Sequence, residues 1–160
     1  MPTFRGSRWA PRPAADMFDL VADFERYPEF LPFCRSARIV ERAYDAPGLE
    51  TLMAEMEVGF GAIRERFATR DVLDRRGGTI RIAYSSGPFR RFESTWTFRD
   101  HARGGCRVAF STDYELRNVA LGALLGRMFD EVFRRLAEAF IERAETMSRL
   151  SKLAAGRREK

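Results

Sequence analysis

The side chains able to do nucleophilic or metal chemistry are few in this chain. His101 is its only histidine, and Cys34 and Cys106 are its only cysteines. A zinc site needs clustered Cys and His ligands, and Ser–His or Cys–His catalysis needs an imidazole beside the nucleophile, so both chemistries are disfavoured. No metal or other cofactor is required by this reading. The cysteines read as reduced packing residues and His101 as a solvated turn residue. Glu65 has the parity of an inward strand residue, but no second titratable group stands with it to make an acid–base pair, and an arginine partner or exposure is expected. What the chain has in excess is phenylalanine, fourteen of them. Rings at that density build either an aromatic core or an apolar cavity, and an apolar cavity with a few polar groups is how small-molecule sites look. The chemistry expected is binding, and the chain is not expected to be an enzyme.

Those rings must be held by strands. Period-two alternation dominates from Arg35 to Arg117, and turn signals at Ala46-Pro47-Gly48, Gly59-Phe60-Gly61, Arg76-Gly77-Gly78, Gly87-Pro88 and Arg103-Gly104-Gly105 divide it into six consecutive antiparallel strands. The clearest is the last, where Cys106, Val108, Phe110, Thr112, Tyr114 and Leu116 alternate with Arg107, Ala109, Ser111, Asp113 and Glu115. The same parity turns Phe92, Ser94, Trp96 and Phe98 inward, with Ile80, Ile82 and Tyr84 on the strand before. Leu52 to Phe60 on even numbers, and Ile63, Glu65, Phe67 and Thr69, line the two earlier runs. Ahead of the six, Thr3 to Trp9 reads as a short strand stopped by Pro11 and Pro13. A helix from Ala14 to about Asp23 follows, and then a proline- and aromatic-rich helical turn that staples this helix to the sheet edge.

A sheet with one apolar face needs a cover. After Asn118, a candidate N-cap, the residues Leu121, Leu125, Met128 or Phe129, Val132, Leu136, Phe140, Ala144 and Met147 recur at helical spacing, a helix of over about 40 Å. The fold class is α+β: a curved antiparallel sheet wrapped around a long C-terminal helix. Residues 1–151 form one domain, and 152–160 are expected to be a frayed basic tail. One helix cannot fill the space under six strands, so an internal cavity is expected. By strand and helix parity its lining is Val58, Phe60, Phe67, Ile82, Tyr84, Phe92, Ser94, Trp96, Phe98, Phe110, Thr112, Tyr114, Leu121, Leu125 and Met128.

The net charge of +5 points weakly to a polyanion, because Lys152, Arg157, Arg158 and Lys160 oppose only Glu159 and so three of the five charges sit in the tail. Outward Arg64, Arg66, Arg70, Arg81, Arg99 and Arg107 form a basic stripe, balanced by Glu55, Glu57 and Glu93. The longest uninterrupted apolar stretch is Val119 to Gly126, too short to span a bilayer. A cytoplasmic protein is expected, with that stretch offering a peripheral contact to the inner membrane.

Residues 21–34, Val-Ala-Asp-Phe-Glu-Arg-Tyr-Pro-Glu-Phe-Leu-Pro-Phe-Cys, resemble the V-x-D-x-x-x-Y-P-x-F-L-P-x-C signature of the coenzyme Q-binding START-like family, which also contains bacterial ribosome-association toxins. Val58-Gly59-Phe60 leading into Arg64-Glu65-Arg66-Phe67, Ser86-Gly87-Pro88-Phe89 followed by Trp96-Thr97-Phe98, and the long last helix stand in that family's order, so the resemblance spans about residues 3–148. It implies a helix-grip (START-like) fold whose cavity takes ubiquinone or a similar isoprenoid lipid, without chemistry, in support of respiratory electron transport. It implies two alternatives: a ribosome- or RNA-binding regulator, and an aromatase or cyclase acting on polyketides.

Overall fold

The computed structural model describes residues 3–60 and 62–158, apart from the side chains at positions 60, 63, 119, 121, 123–129 and 158. Seven strands form one antiparallel sheet: β1 (Thr3–Ala10), β2 (Cys34–Ala46), β3 (Leu49–Phe60), β4 (Ile63–Asp74), β5 (Thr79–Ser86), β6 (Phe89–Asp100) and β7 (Cys106–Leu116). Their order across the sheet is β1-β7-β6-β5-β4-β3-β2. β2 to β7 are a simple meander, and β1 closes the far side by pairing with β7, Thr3 opposite Asp113 and Ala10 opposite Cys106. Three register shifts along the edge strand β2 mark where it bends relative to β3.

Two helices cover the concave face. α1 (Ala14–Ala22) starts directly after Pro13, whose carbonyl accepts from Asp16 and Met17, and buries Met17, Phe18 and Val21. Phe18 meets Phe98 edge-on at 5.6 Å, and the Arg75 guanidinium lies 4.8 Å above the same ring while pairing with Asp19. A 3₁₀ turn, Phe24–Glu29, then carries the chain to β2. α2 (Val119–Arg158) follows β7, and the carbonyl of Asn118 accepts its first helical bond from Gly122 at 2.9 Å. No helix among the described residues is long and apolar enough to cross a membrane.

α2 corrects two expectations. Its 40 residues reach about 60 Å, whereas the 12-residue strands reach about 40 Å, so the helix must overhang the sheet. Ala144 is the last fully buried residue, and Met147, on the expected apolar stripe, is 37% exposed because it lies in the overhang. The helix also does not end at Lys152. It runs to Arg158 with Ser151 to Arg157 exposed, since Lys152, Leu153, Ala154 and Ala155 are strong helix formers that need no packing partner to stay helical at the end of a long helix.

The β5–β6 connection passes close over β4. Gly87 has φ +140°, and a Cβ there would lie 2.7 Å from the Cβ of Phe67 and 3.0 Å from the carbonyl of Arg66. Only glycine meets both demands. Gly87→Ala is expected to lower stability by roughly 1–3 kcal/mol, seen as a lower urea midpoint at an unchanged m-value. An unaltered midpoint would mean that this turn does not press on β4.

Candidate functional site

Strand register aligns the inward residues into rows across the sheet. One row runs Leu52, Asp71, Ile82, Ser94, Thr112 and Phe4, from β3 to β1. The next, toward α1, carries Ile80, Trp96 and Phe110. α1 covers the sheet end around Phe98, and α2 crosses β1 and β7, so the space above β3 to β6 is left for a cavity of about 240 Å³. Val132, Phe133, Leu136 and Phe140 of α2 form its roof. Phe24, Tyr27, Leu31, Phe33 and Cys34, from the chain between α1 and the start of β2, form its side, and Met56, Pro88, Phe89 and Leu116 complete the wall.

Of the residues assigned to the lining by parity, Val58, Phe67, Ile82, Phe92, Ser94, Trp96, Phe110 and Thr112 face this cavity. Phe60, Leu121, Leu125 and Met128 lie outside the described side chains. Three point inward but elsewhere. Phe98 is covered by Phe18 of α1, Tyr114 packs against Phe133 of α2 with ring centroids 5.4 Å apart, and Tyr84 stands behind Phe89, edge-on at 5.9 Å. Each is taken out of the lining by a neighbour that parity does not see.

The proline-rich segment is both staple and wall. Phe24 and Phe30 pack on Tyr27 at 5.1 and 6.1 Å, and Phe140 of α2 meets Tyr27 and Phe30, each at 5.3 Å. Arg143 lies 5.3 Å above Phe30 and 3.8 Å from Glu29, holding the same contact from outside. The Tyr27 hydroxyl donates to the Val21 carbonyl, and burial, with Asp71 nearby, pushes its pKa well above the usual phenol value. It therefore remains a neutral donor already in use. Burial pushes the Cys34 and Cys106 thiols up to about 11, so neither is a thiolate nucleophile, and neither forms a disulfide.

The polar lining groups differ in how well they are satisfied. Ser94 Oγ donates to the Ser111 carbonyl at 3.2 Å and lies 3.1 Å from Thr112 Oγ1. Asp71 is 0% exposed, and neither carboxylate oxygen has a hydrogen-bond partner. Burial pushes its carboxyl up to about 7; the Thr69 hydroxyl, near it on the same strand face but outside hydrogen-bonding geometry, offsets this only in part. Buried polar groups are almost always paired, so an orphan carboxyl facing a cavity is the feature of this site that needs a reason. Sequence parity contained the signal: the inward run Glu65, Phe67, Thr69 continues to Asp71 and Leu73. Glu65 itself is exposed at the rim; His101 is exposed in the β6–β7 turn, away from the cavity, where its Nδ1 accepts from the Arg103 backbone N–H. The six outward arginines are all exposed, Arg66 within 3.4 Å of Glu57.

Comparison with known proteins places these features. The family model described as "Polyketide cyclase / dehydrase and lipid transport" matches residues 10–141. The chain is 33% identical over 138 residues to the ribosome association toxin RatA of Pseudomonas aeruginosa, covering 86% of this chain and 91% of that one. It is 26% identical over 148 residues to the mitochondrial coenzyme Q-binding protein coq10 of Schizosaccharomyces pombe, covering 92% and 89%. The fold is similar to that of TTHA0849 from Thermus thermophilus, with a TM-score of 0.79 at 24% identity over 92% of this chain and 99% of that one.

Proposed function

The chain belongs to the polyketide cyclase/dehydrase and lipid transport family, and on that premise we propose that it holds one apolar small molecule of the isoprenoid-quinone or related lipid class between the sheet and α2, without transforming it. The observation that carries the reading is the cavity itself: aromatic and aliphatic walls drawn from β3 to β7, the proline-rich segment and α2, with few polar groups. Its volume of about 240 Å³ lies just below the usual range for ligand sites, so it suits a ring and the first part of a tail, the remainder leaving through the rim. Burial of apolar surface at about 25 cal/mol per Å² provides affinity without many polar contacts. The similarity to a coenzyme Q-binding protein agrees with this ligand class. Reaction chemistry is not part of the reading, because the two carboxylates along the lining, Glu65 and Asp71, are six residues apart on one strand, about 20 Å.

Trp96 supplies the assay. It is buried, lines the cavity and packs against Phe110 with ring centroids 4.5 Å apart, while Trp9 is 57% exposed and donates to the Gly104 carbonyl. In a Trp9→Phe variant, a benzoquinone with a ten-carbon tail is expected to quench Trp96 fluorescence saturably, more tightly than the tail-less ring. Linear, non-saturating quenching would remove the reading.

A second reading, ribosome association, is favoured by the exposed arginines on the outer sheet face together with the similarity to RatA. It predicts co-sedimentation with ribosomal subunits that weakens steeply with salt and is lost when Arg70, Arg81 and Arg99 are changed to Glu.

A further inference from the structure

The orphan carboxyl of Asp71 stands at one end of the cavity. Along β4 the lining residues become steadily less accessible: Glu65 is exposed, Phe67 half-buried, Thr69 buried and Asp71 fully buried, while Leu73 beyond it belongs to the core. The cavity therefore opens at Glu65 and closes at Asp71. At that closed end the cross-sheet row places Asp71, Ser94 and Thr112 at one level, the main polar band in walls that are otherwise apolar. Ser94 and Thr112 satisfy one another, and Tyr27 is committed to Val21. Among the described residues of the lining, Asp71 alone has buried polar atoms without a partner.

We infer that Asp71 is the polar anchor of the cavity, hydrogen-bonding the neutral oxygen-bearing head of a ligand that enters head first, its apolar body lying along β4 toward the rim at Glu65. This rests on the reading of the cavity as an apolar-ligand site and adds to it an orientation and a head-group class. The class follows from charge. No Lys, Arg or His is present among the described lining residues, so a phosphate or fatty-acid carboxylate would sit at Asp71 with no counter-cation. A hydroxyl suits the site in both protonation states, since it donates to the carboxylate or accepts from the acid, and a carbonyl suits the protonated acid, which donates to it. Burial holds this carboxyl close to neutral pH, so both states are within reach.

The test compares two probes of equal tail length, decyl-benzoquinone and decylbenzene, each displacing Nile red from the full-length protein at pH 5.5, where Asp71 is protonated and can donate to a quinone carbonyl. Asp71→Leu removes the polar atoms and keeps the branched outline of the side chain. It is expected to weaken the quinone about tenfold, the value of one buried hydrogen bond, and to leave decylbenzene within about twofold. Asp71→Asn, which keeps a donor and an acceptor, is expected to restore part of the quinone affinity. Equal changes for both probes, or none for either, overturn the anchor while leaving the apolar-ligand reading intact. Failure of both probes to bind wild-type protein overturns that reading and the anchor with it. If Asp71→Leu does not fold by circular dichroism, Asp71→Ala, which also lacks the polar atoms, carries the comparison: a quinone-specific loss of about tenfold supports the anchor, and equal changes for both probes overturn it.

Discussion

Phe140→Ala is expected to lower the stability of the folded protein by roughly 3–5 kcal/mol, as deletion of a buried ring from a packed core does. Phe140 is 3% exposed and stands where three elements meet, 5.1 Å from Trp96 of the sheet and 5.3 Å from both Tyr27 and Phe30. None of these neighbours can close the gap alone: Trp96 is fixed in the sheet, and Tyr27 is tied to Val21. The loss is a large part of the about 5–15 kcal/mol that holds a domain of this size together. Denaturant unfolding with far-UV and near-UV circular dichroism checks it. Near-UV signal from Trp96 should change even in conditions where the variant stays folded, because its edge-on partner is gone. A stability within about 0.5 kcal/mol of wild type, the usual surface-substitution range, would mean that α2 does not dock on the sheet through Phe140.

Asp71→Asn is expected to stabilise the protein at pH 8 and to do little at pH 4. The folded-state carboxyl titrates near 7 and the unfolded one near its ordinary value of 3.8. Between these, the folded protein holds a proton that the unfolded chain has released, so the unfolded state binds fewer protons and stability falls as pH rises. Below about pH 4 both states are protonated and Asp71 contributes no pH dependence. Above about pH 7 the whole penalty is present, on the order of 4 kcal/mol for a shift of this size. An amide has no charge to bury, although it too lacks partners there, so the gain at pH 8 should be about 2 kcal/mol or more after that loss. Melting curves of both proteins from pH 4 to 8 decide it. Parallel pH profiles would show that Asp71 is hydrated or paired in solution. A stabilised variant that binds the quinone less well is the pattern expected of a residue kept for binding at the expense of stability.

Much of this molecule is written locally. Alternation in Cys106–Leu116 and Phe92–Phe98 specified strands and their inward faces, the recurrence every four residues from Val132 to Ala144 specified a covering helix, and the proline-rich signature pointed to the family. These are properties of backbone geometry over a few residues, period two in a strand and 3.6 in a helix, and the order of residues alone determines them. The pairing of β1 with β7 is different, since it joins Thr3 to Asp113 across 110 residues and no local pattern encodes it. The cavity is different for the same reason. Parity turned Phe98, Tyr114 and Tyr84 inward correctly, yet whether an inward residue meets a helix, a ring or open space depends on where α1, α2 and Phe89 settle. Asp71 lay on the inward parity of β4, but only the tertiary structure decided that its carboxyl would be buried without a partner, because that requires Tyr27, Ser94 and Thr112 each to have been satisfied by another element first. A strand's inward face follows from its own sequence; an unfilled space and an unpaired group are what remain after every distant element has packed.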